Sequence, residues 1–189
     1  MSSSNRAAGL ADVVAGQTTL STVGQEGRGL TYRGYPIEEL AAHATFEEVA
    51  YLLLYGELPQ AATLDEFRSR LHEGRRLPSP LVMILEQLPA STHPMDLLRT
   101  GCSALGCLEP EDSFENQFRA AERLLAALPM MLLSWHRFHA TGQRLPSPDA
   151  PASLAESFLE LLCAATPDEL ETRALDVSLI LYAEHEFNA

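Results

Sequence analysis

The sequence predicts an all-α fold that opens with a small β-hairpin. Three observations predict it. β-Branched residues and a Gly-rich turn gather together only near the start, in "TTLSTVGQEGRGLTYRG" (residues 18–34). Beyond that stretch, apolar residues recur at helical spacing. Successive segments also carry their own helix start and stop signals.

Taken in order, "TTLSTV" (18–23) reads as a first short strand, "GQEGRG" (24–29) as the turn, and "LTYRG" (30–34) as the second strand. Helices are expected almost throughout after Gly34. In "TFEEVAYLLLYGELP" (45–59), Thr45 caps and Glu48, three residues on, completes a capping box. Phe46, Val49, Ala50, Leu53 and Leu54 form one apolar side, Gly56 ends the helix and Pro59 prevents a restart. "TLDEFRSRLHEGRRL" (63–77) predicts a more basic helix running toward Gly74, and "PSPLVMILEQLP" (78–89) another short one. In "STHPMDLLRTGCSALG" (91–106), Pro94 suits a first helical position, where its missing N–H costs nothing. The small residues Gly101, Ser103, Ala104 and Gly106 would let a neighbouring helix come close.

"DSFENQFRAAERLLAALPMMLLSWHRFHATG" (112–142) predicts a long helix that Pro129 interrupts and kinks. "TGQRLPSPDAPASL" (141–154), with its three prolines, is the most loop-like stretch. "ASLAESFLELLCAAT" (152–166) is a further apolar helix. The last helix is expected to be capped by Thr166, with Pro167 first and Glu169 at the capping-box position. Leu170, Ala174, Val177 and Leu181 share one of its faces.

Composition narrows the function. The formal net charge of −13 argues against nucleic acid or an anionic membrane as partner, because both attract a basic surface. It leaves room for a small anionic substrate held by local arginines. The three cysteines, Cys102, Cys107 and Cys163, match neither a zinc ribbon nor a CxxC pair, and are expected to be buried free thiols in a reducing cytoplasm. The opening "MSSSNRAAG" lacks the apolar core of a secretory signal, and no apolar run nears the ~20 residues of a membrane span. A soluble, cytoplasmic protein is the expectation.

Few residues are candidates for chemistry. In "SLILYAEHEFNA" (178–189), His185 stands between Glu184 and Glu186 at a helix end whose dipole favours imidazolium. It reads either as a donor to a carbonyl or carboxylate, or as a surface histidine on a frayed helix end. His136 and His139, three apart, suit a metal-binding face, but no third ligand is near in sequence, and "WHRFH" also reads as an amphipathic helix end. The cluster Arg68, Arg70, His72, Arg75 and Arg76 reads as an anion site or as a solvated helix end. Arg33 either binds an acid or pins its own turn. Glu109, Glu111 and Asp112 read as a solvated turn. No GxGxxG, P-loop, GxSxG or HExxH is present.

Several segments together resemble the citrate synthase family: the opening "GLADVVAGQTTLSTVGQEGRGLTYRGYPIEELAAHATFEEVAYLLLYGELP", the His-Pro-Met helix "THPMDLLRTGCSALG", and the closing "LDVSLILYAEHEFNA". The wording of "STVGQEGRGLTYRGY" and "LRTGCSALGCLEPE" is closest to the 2-methylcitrate synthase branch. The resemblance implies part of a large helical domain, here the N-terminal half, spanning residues 1–189. It implies a transferase that condenses propionyl-CoA or acetyl-CoA with oxaloacetate and water, giving 2-methylcitrate or citrate and CoA, in the methylcitrate or tricarboxylic acid cycle. It implies no metal or prosthetic group, and a homodimer built through the helical domain.

By the same resemblance, His185 matches a histidine that hydrogen-bonds oxaloacetate. His72 falls near the place where some short-form relatives carry a substrate-contacting basic residue, although its local wording departs from theirs. The family's catalytic histidine, in a "GPxHGGAN"-type segment, and its catalytic aspartate would lie downstream, as would the small CoA-binding domain and the arginines that clamp oxaloacetate. The isolated chain is therefore expected to be inactive, with apolar helix faces uncovered. The alternatives are a non-catalytic remnant serving as a dimerisation module, or one half of a split enzyme.

Overall fold

The structure, a computed structural model, describes residues 18–22, 29–146 and 152–184. Its strands are β1 (Thr31–Tyr32) and β2 (Tyr35–Pro36). Its helices are α1 (Ile37–His43), α2 (Phe46–Tyr55), α3 (Ala61–Glu73), α4 (Ser79–Gln87), α5 (Pro94–Leu108), α6 (Gln117–Thr141), α7 (Leu154–Cys163) and α8 (Glu169–Leu181). The all-α class with a short hairpin holds.

The hairpin sits one turn later than the sequence suggests. β1 and β2 pair antiparallel, Tyr32 opposite Tyr35, across the two-residue loop Arg33–Gly34. Both loop residues have positive φ, 50° and 89°, as a type I′ turn requires. Arg33 pays for this left-handed backbone with two contacts: its guanidinium donates to the Leu53 carbonyl and to Thr19 Oγ1, each at 3.0 Å. Of its two sequence readings, pinning the turn is the one seen. The expected first strand contributes an isolated bridge, Ser21 to Tyr32, flanked by Thr22 N–H to the Thr31 carbonyl at 3.2 Å and Arg33 N–H to the Leu20 carbonyl at 2.7 Å. The tight two-residue loop outcompetes the long Gly-rich one as a hairpin turn. The expected turn at 24–29 lies, apart from Gly29, outside the described residues.

α2 forms as its signals dictate. Thr45 Oγ1 accepts from the Glu48 N–H, the Glu48 carboxylate accepts from the Thr45 N–H at 2.7 Å, and Gly56 ends the helix at φ 93°. Pro94 starts α5, with His93 Nδ1 accepting from the Met95 N–H at 3.2 Å. α6 runs on through Pro129. At α8 the cap is displaced by two residues. Asp168, not Thr166, caps it, and Glu171 closes the box. "DELE" satisfies the same spacing as "TPDE", and a carboxylate at the cap adds a favourable charge on the helix dipole.

α6 is the spine between two apolar clusters. Ala126 belongs to the cluster of Tyr32, Leu40, Val49, Leu52 and Phe67, which joins the hairpin, α1, α2 and α3, with Ile180 of α8. Ala127 and Met131 face Leu81, Leu85, Leu97 and Leu105 of α4 and α5. The small-residue stripe of α5 works at one point. A Cβ on Gly101 would lie 2.7 Å from Met131 Sδ, whereas Gly106 meets open space. The three cysteines are free, but Cys107 and Cys163 are exposed and Cys102 is half-buried, so the expectation of burial fails. α5 and α7 turn those faces away from the core.

Candidate functional site

His185 lies outside the described residues, which end at the residue before it. What the structure defines is the platform that leads to it. Asp176, buried in the middle of α8, accepts from the Phe46 N–H at 2.9 Å and from Arg173 Nη1 at 2.8 Å. It thus satisfies a donor at the first turn of α2, which a helix cannot satisfy itself. Arg173 also donates to the carbonyls of Ala44, at 2.9 Å, and Ala41. One ion pair therefore bolts α8 to the end of α1 and the start of α2. At the far end of α8, the Tyr32 hydroxyl donates to the carbonyls of Leu181 at 3.2 Å and Glu184 at 3.3 Å.

The surroundings of this helix end are apolar. Phe46, Leu53, Leu54, Leu125 and Ala183 line a recess of about 200 Å³. Phe46 and Leu125 also border a larger groove of about 330 Å³, closed by Pro129, Leu132, Phe158 and Leu179. A polar substrate near such walls would depend on a few well-placed donors, since water competes least there.

His72 stands elsewhere. With Asp65, Arg68, Ser69, Ser153 and Glu156 it lines a pocket of about 390 Å³. Its Nδ1 is buried without a hydrogen-bond partner among the described residues. Ser153 and Glu156 also border the neighbouring pocket that holds Asp168 and Thr172, at the start of α8. The opposite end of α8 is about 20 Å away along the helix at 1.5 Å per residue. Asp65 and Glu156 offset Arg68 here.

Three members of the basic cluster, Arg68, Arg70 and Arg75, are engaged by partners within the fold. Arg70 makes a bidentate pair with buried Glu122, at 2.8 and 2.9 Å, and Tyr55 donates to the same carboxylate at 2.5 Å. Burial alone would raise the Glu122 carboxyl; Arg70 and Tyr55 together outweigh it and hold the carboxyl below its ordinary range. Arg75 is 3% exposed and donates to Ser157 Oγ at 2.7 Å and the Ala152 carbonyl at 2.8 Å. Buried Glu47 accepts from the Leu154 N–H at 2.7 Å, so α7 is docked by one acid and one base from α2 and the α3 end. Arg68 donates to Thr45 Oγ1 at 3.3 Å. Glu109 is not simply solvated either: Arg123 pairs with it at 2.7 and 2.9 Å. His136 is exposed, and His139 packs edge-on against Trp135 and Phe138, each at 5.5 Å between ring centroids. Among the described residues, no group of three or more potential metal ligands converges.

A sequence profile described as the citrate synthase C-terminal domain matches residues 9–189. The chain belongs to the citrate synthase family. Its similarity to 2-methylcitrate synthase of Shewanella oneidensis is 53% identity over 182 residues, covering 96% of this chain and 48% of that protein. To 2-methylcitrate synthase of Mycobacterium tuberculosis it is 40% over 182 residues, covering 96% and 46%. Among solved structures, citrate synthase from Pyrobaculum aerophilum superposes with a TM-score of 0.80 at 33% identity, over 94% of this chain and 47% of that one. The Thermoplasma acidophilum citrate synthase, in a ternary complex with carboxymethyl coenzyme A and oxaloacetate, superposes with a TM-score of 0.82 at 26% identity, over 94% and 47%. The chain spans about half the length of the curated relatives it matches.

Within this citrate synthase segment, sequence reasoning singled out none of Tyr32, Arg173 or Asp176. For the last two a signal existed: an acid inside the apolar run "RALDVSLIL", three residues after an arginine, needs a buried partner. Tyr32 carried none, since its contacts lie 149 and 152 positions away.

Proposed function

We propose that the chain forms part of an enzyme that joins propionyl-CoA, or acetyl-CoA, to oxaloacetate. The α-carbon of the enolised thioester attacks the ketone carbon, and a C–C bond forms. Water then cleaves the thioester, releasing the CoA thiol and leaving 2-methylcitrate or citrate. His185 donates a hydrogen bond to oxaloacetate and polarises the ketone, so that charge developing on its oxygen meets a preorganised donor. His72 is held as a secondary candidate for substrate contact. The proton-abstracting groups and most of the CoA site belong to the other half of the relatives' length. The same reading carries a cytoplasmic location, no metal or prosthetic group, and pairing of two copies through the helical domain.

One observation carries this reading: the family match runs through residue 189 and so includes His185 within "YAEHEFNA". Identity to a 2-methylcitrate synthase at 53% favours propionyl-CoA. A thiol-release assay with oxaloacetate and each thioester tests it. A protein carrying this chain together with the other half of its relatives' length is expected to release CoA, faster with propionyl-CoA. The 189-residue chain alone is expected to release none. Absence of condensation by the longer protein with either thioester would overturn the reading.

A further inference from the structure

Arg76 is the arginine of the basic cluster whose side chain the fold does not use. It is exposed, and its guanidinium has neither an ion pair nor a hydrogen bond among the described residues. Only its backbone is engaged: the N–H donates to the Glu73 carbonyl at 3.4 Å, and the carbonyl accepts from Arg123 at 3.1 Å. Its neighbour Arg75 is buried and uses both terminal nitrogens on Ala152 and Ser157. The third nitrogen, Nε, is buried with no partner among the described residues. Burial pushes the Arg75 guanidinium below its ordinary range, and the negative charge of Glu47 offsets this only in part. A buried cation short of an acceptor is costly, and an anion within reach relieves that cost.

Both arginines border one pocket of about 300 Å³, where the end of α3 meets α4, α6 and the segment after α6. Ser134 of α6 adds a hydroxyl. The other walls are apolar and come from Leu77, Val82, Met130 and the Leu145–Pro146 segment. No carboxylate lines the pocket. Apolar walls with a few polar groups on one side are the usual layout of a small-molecule site. A guanidinium fork matches the planar oxygens of a carboxylate. The net charge of −13 opposes an anion at long range, but salt screens that field within about 8–10 Å.

We infer that this pocket is a binding site for a small carboxylate with an apolar body, of the short-chain fatty acid class. The carboxylate meets Arg76, Arg75 and the Ser134 hydroxyl, and the chain lies against Leu77, Val82 and Met130. The inference does not rest on the proposed reaction.

The test is calorimetric titration of hexanoate into a protein carrying this chain and the other half of its relatives' length. Hexanoate is expected to bind, and two partial mimics to bind about 10-fold more weakly or worse: 1-hexanol, which lacks the charge, and acetate, which lacks the body. Arg76→Gln is expected to weaken hexanoate about 10-fold, the loss of a hydrogen bond between charged groups. Ser134→Asp, which adds a negative charge to the α6 wall, is expected to abolish binding. Unfolding midpoints are read alongside, and Arg76→Gln decides if Ser134→Asp does not fold. No binding of hexanoate at millimolar concentration would overturn the inference. So would an affinity unchanged in Arg76→Gln, which places hexanoate elsewhere, or 1-hexanol binding as tightly as hexanoate, which makes the pocket a plain apolar one. Inorganic phosphate held as tightly as hexanoate would make it a bare anion site and overturn the assigned class.

Discussion

Tyr55 and Glu122 show how much a single buried carboxylate organises. Glu122 receives Arg70 on both oxygens and Tyr55 on one. Burial, then the hydrogen bond to Glu122, push the Tyr55 hydroxyl up to about 12. The sign follows from linkage. A neutral hydroxyl held in the fold adds stability below the unfolded value of about 10, and that contribution fades as pH rises through about 12. The Glu122 carboxylate works the other way. Its contribution is present above the unfolded value of about 4.3 and is lost as pH falls through the lower folded value. Alkaline titration of tyrosinate absorbance, wild type minus Tyr55→Phe, is expected to isolate a component ionising near pH 12. A component that ionises near 10 would break the triad. At this scale the sequence marks His185 between two glutamates, a residue outside the described ones, and says nothing of the partners of Tyr32, Glu47 and Arg75. Their roles depend on partners far along the chain, and no local pattern encodes those.

Helices were the most legible elements, because their signals are local. Thr45, Glu48 and Gly56 announced α2, and Pro94 announced α5, each through groups within a few residues. α1 was not announced. It has seven residues, begins after Pro36 and has no side-chain cap. At α8 two overlapping start signals competed, and the structure selects Asp168 with Glu171. Replacing Asp168 with Ala is therefore expected to cost about 0.5–2 kcal/mol, while Thr166→Ala is close to neutral. Urea denaturation of the two variants with unchanged m-values checks this. The reverse order would return the cap to Thr166. The small-residue stripe of α5 was legible as a type of feature but not in detail. Only packing against Met131 reveals that Gly101, and not Gly106, is where α6 comes close.

For the whole molecule, the all-α class and the order of the helices could be read from periodicity, and the family from motif wording. The uncovered apolar surface could be anticipated only through the resemblance. The groove of about 330 Å³ along α6 and α8 is apolar throughout. Such a face normally lies against another element, which fits a chain spanning about half of its relatives' length. His185 is the residue on which the proposed function rests. The most direct measurement is oxaloacetate kinetics of His185→Ala in a protein that carries both halves. Losing a hydrogen bond to a charged substrate should cost about 1.5–3 kcal/mol, so kcat/KM for oxaloacetate is expected to fall about 10- to 150-fold, at 1.36 kcal/mol per decade. An unchanged kcat/KM for oxaloacetate would remove His185 from the site.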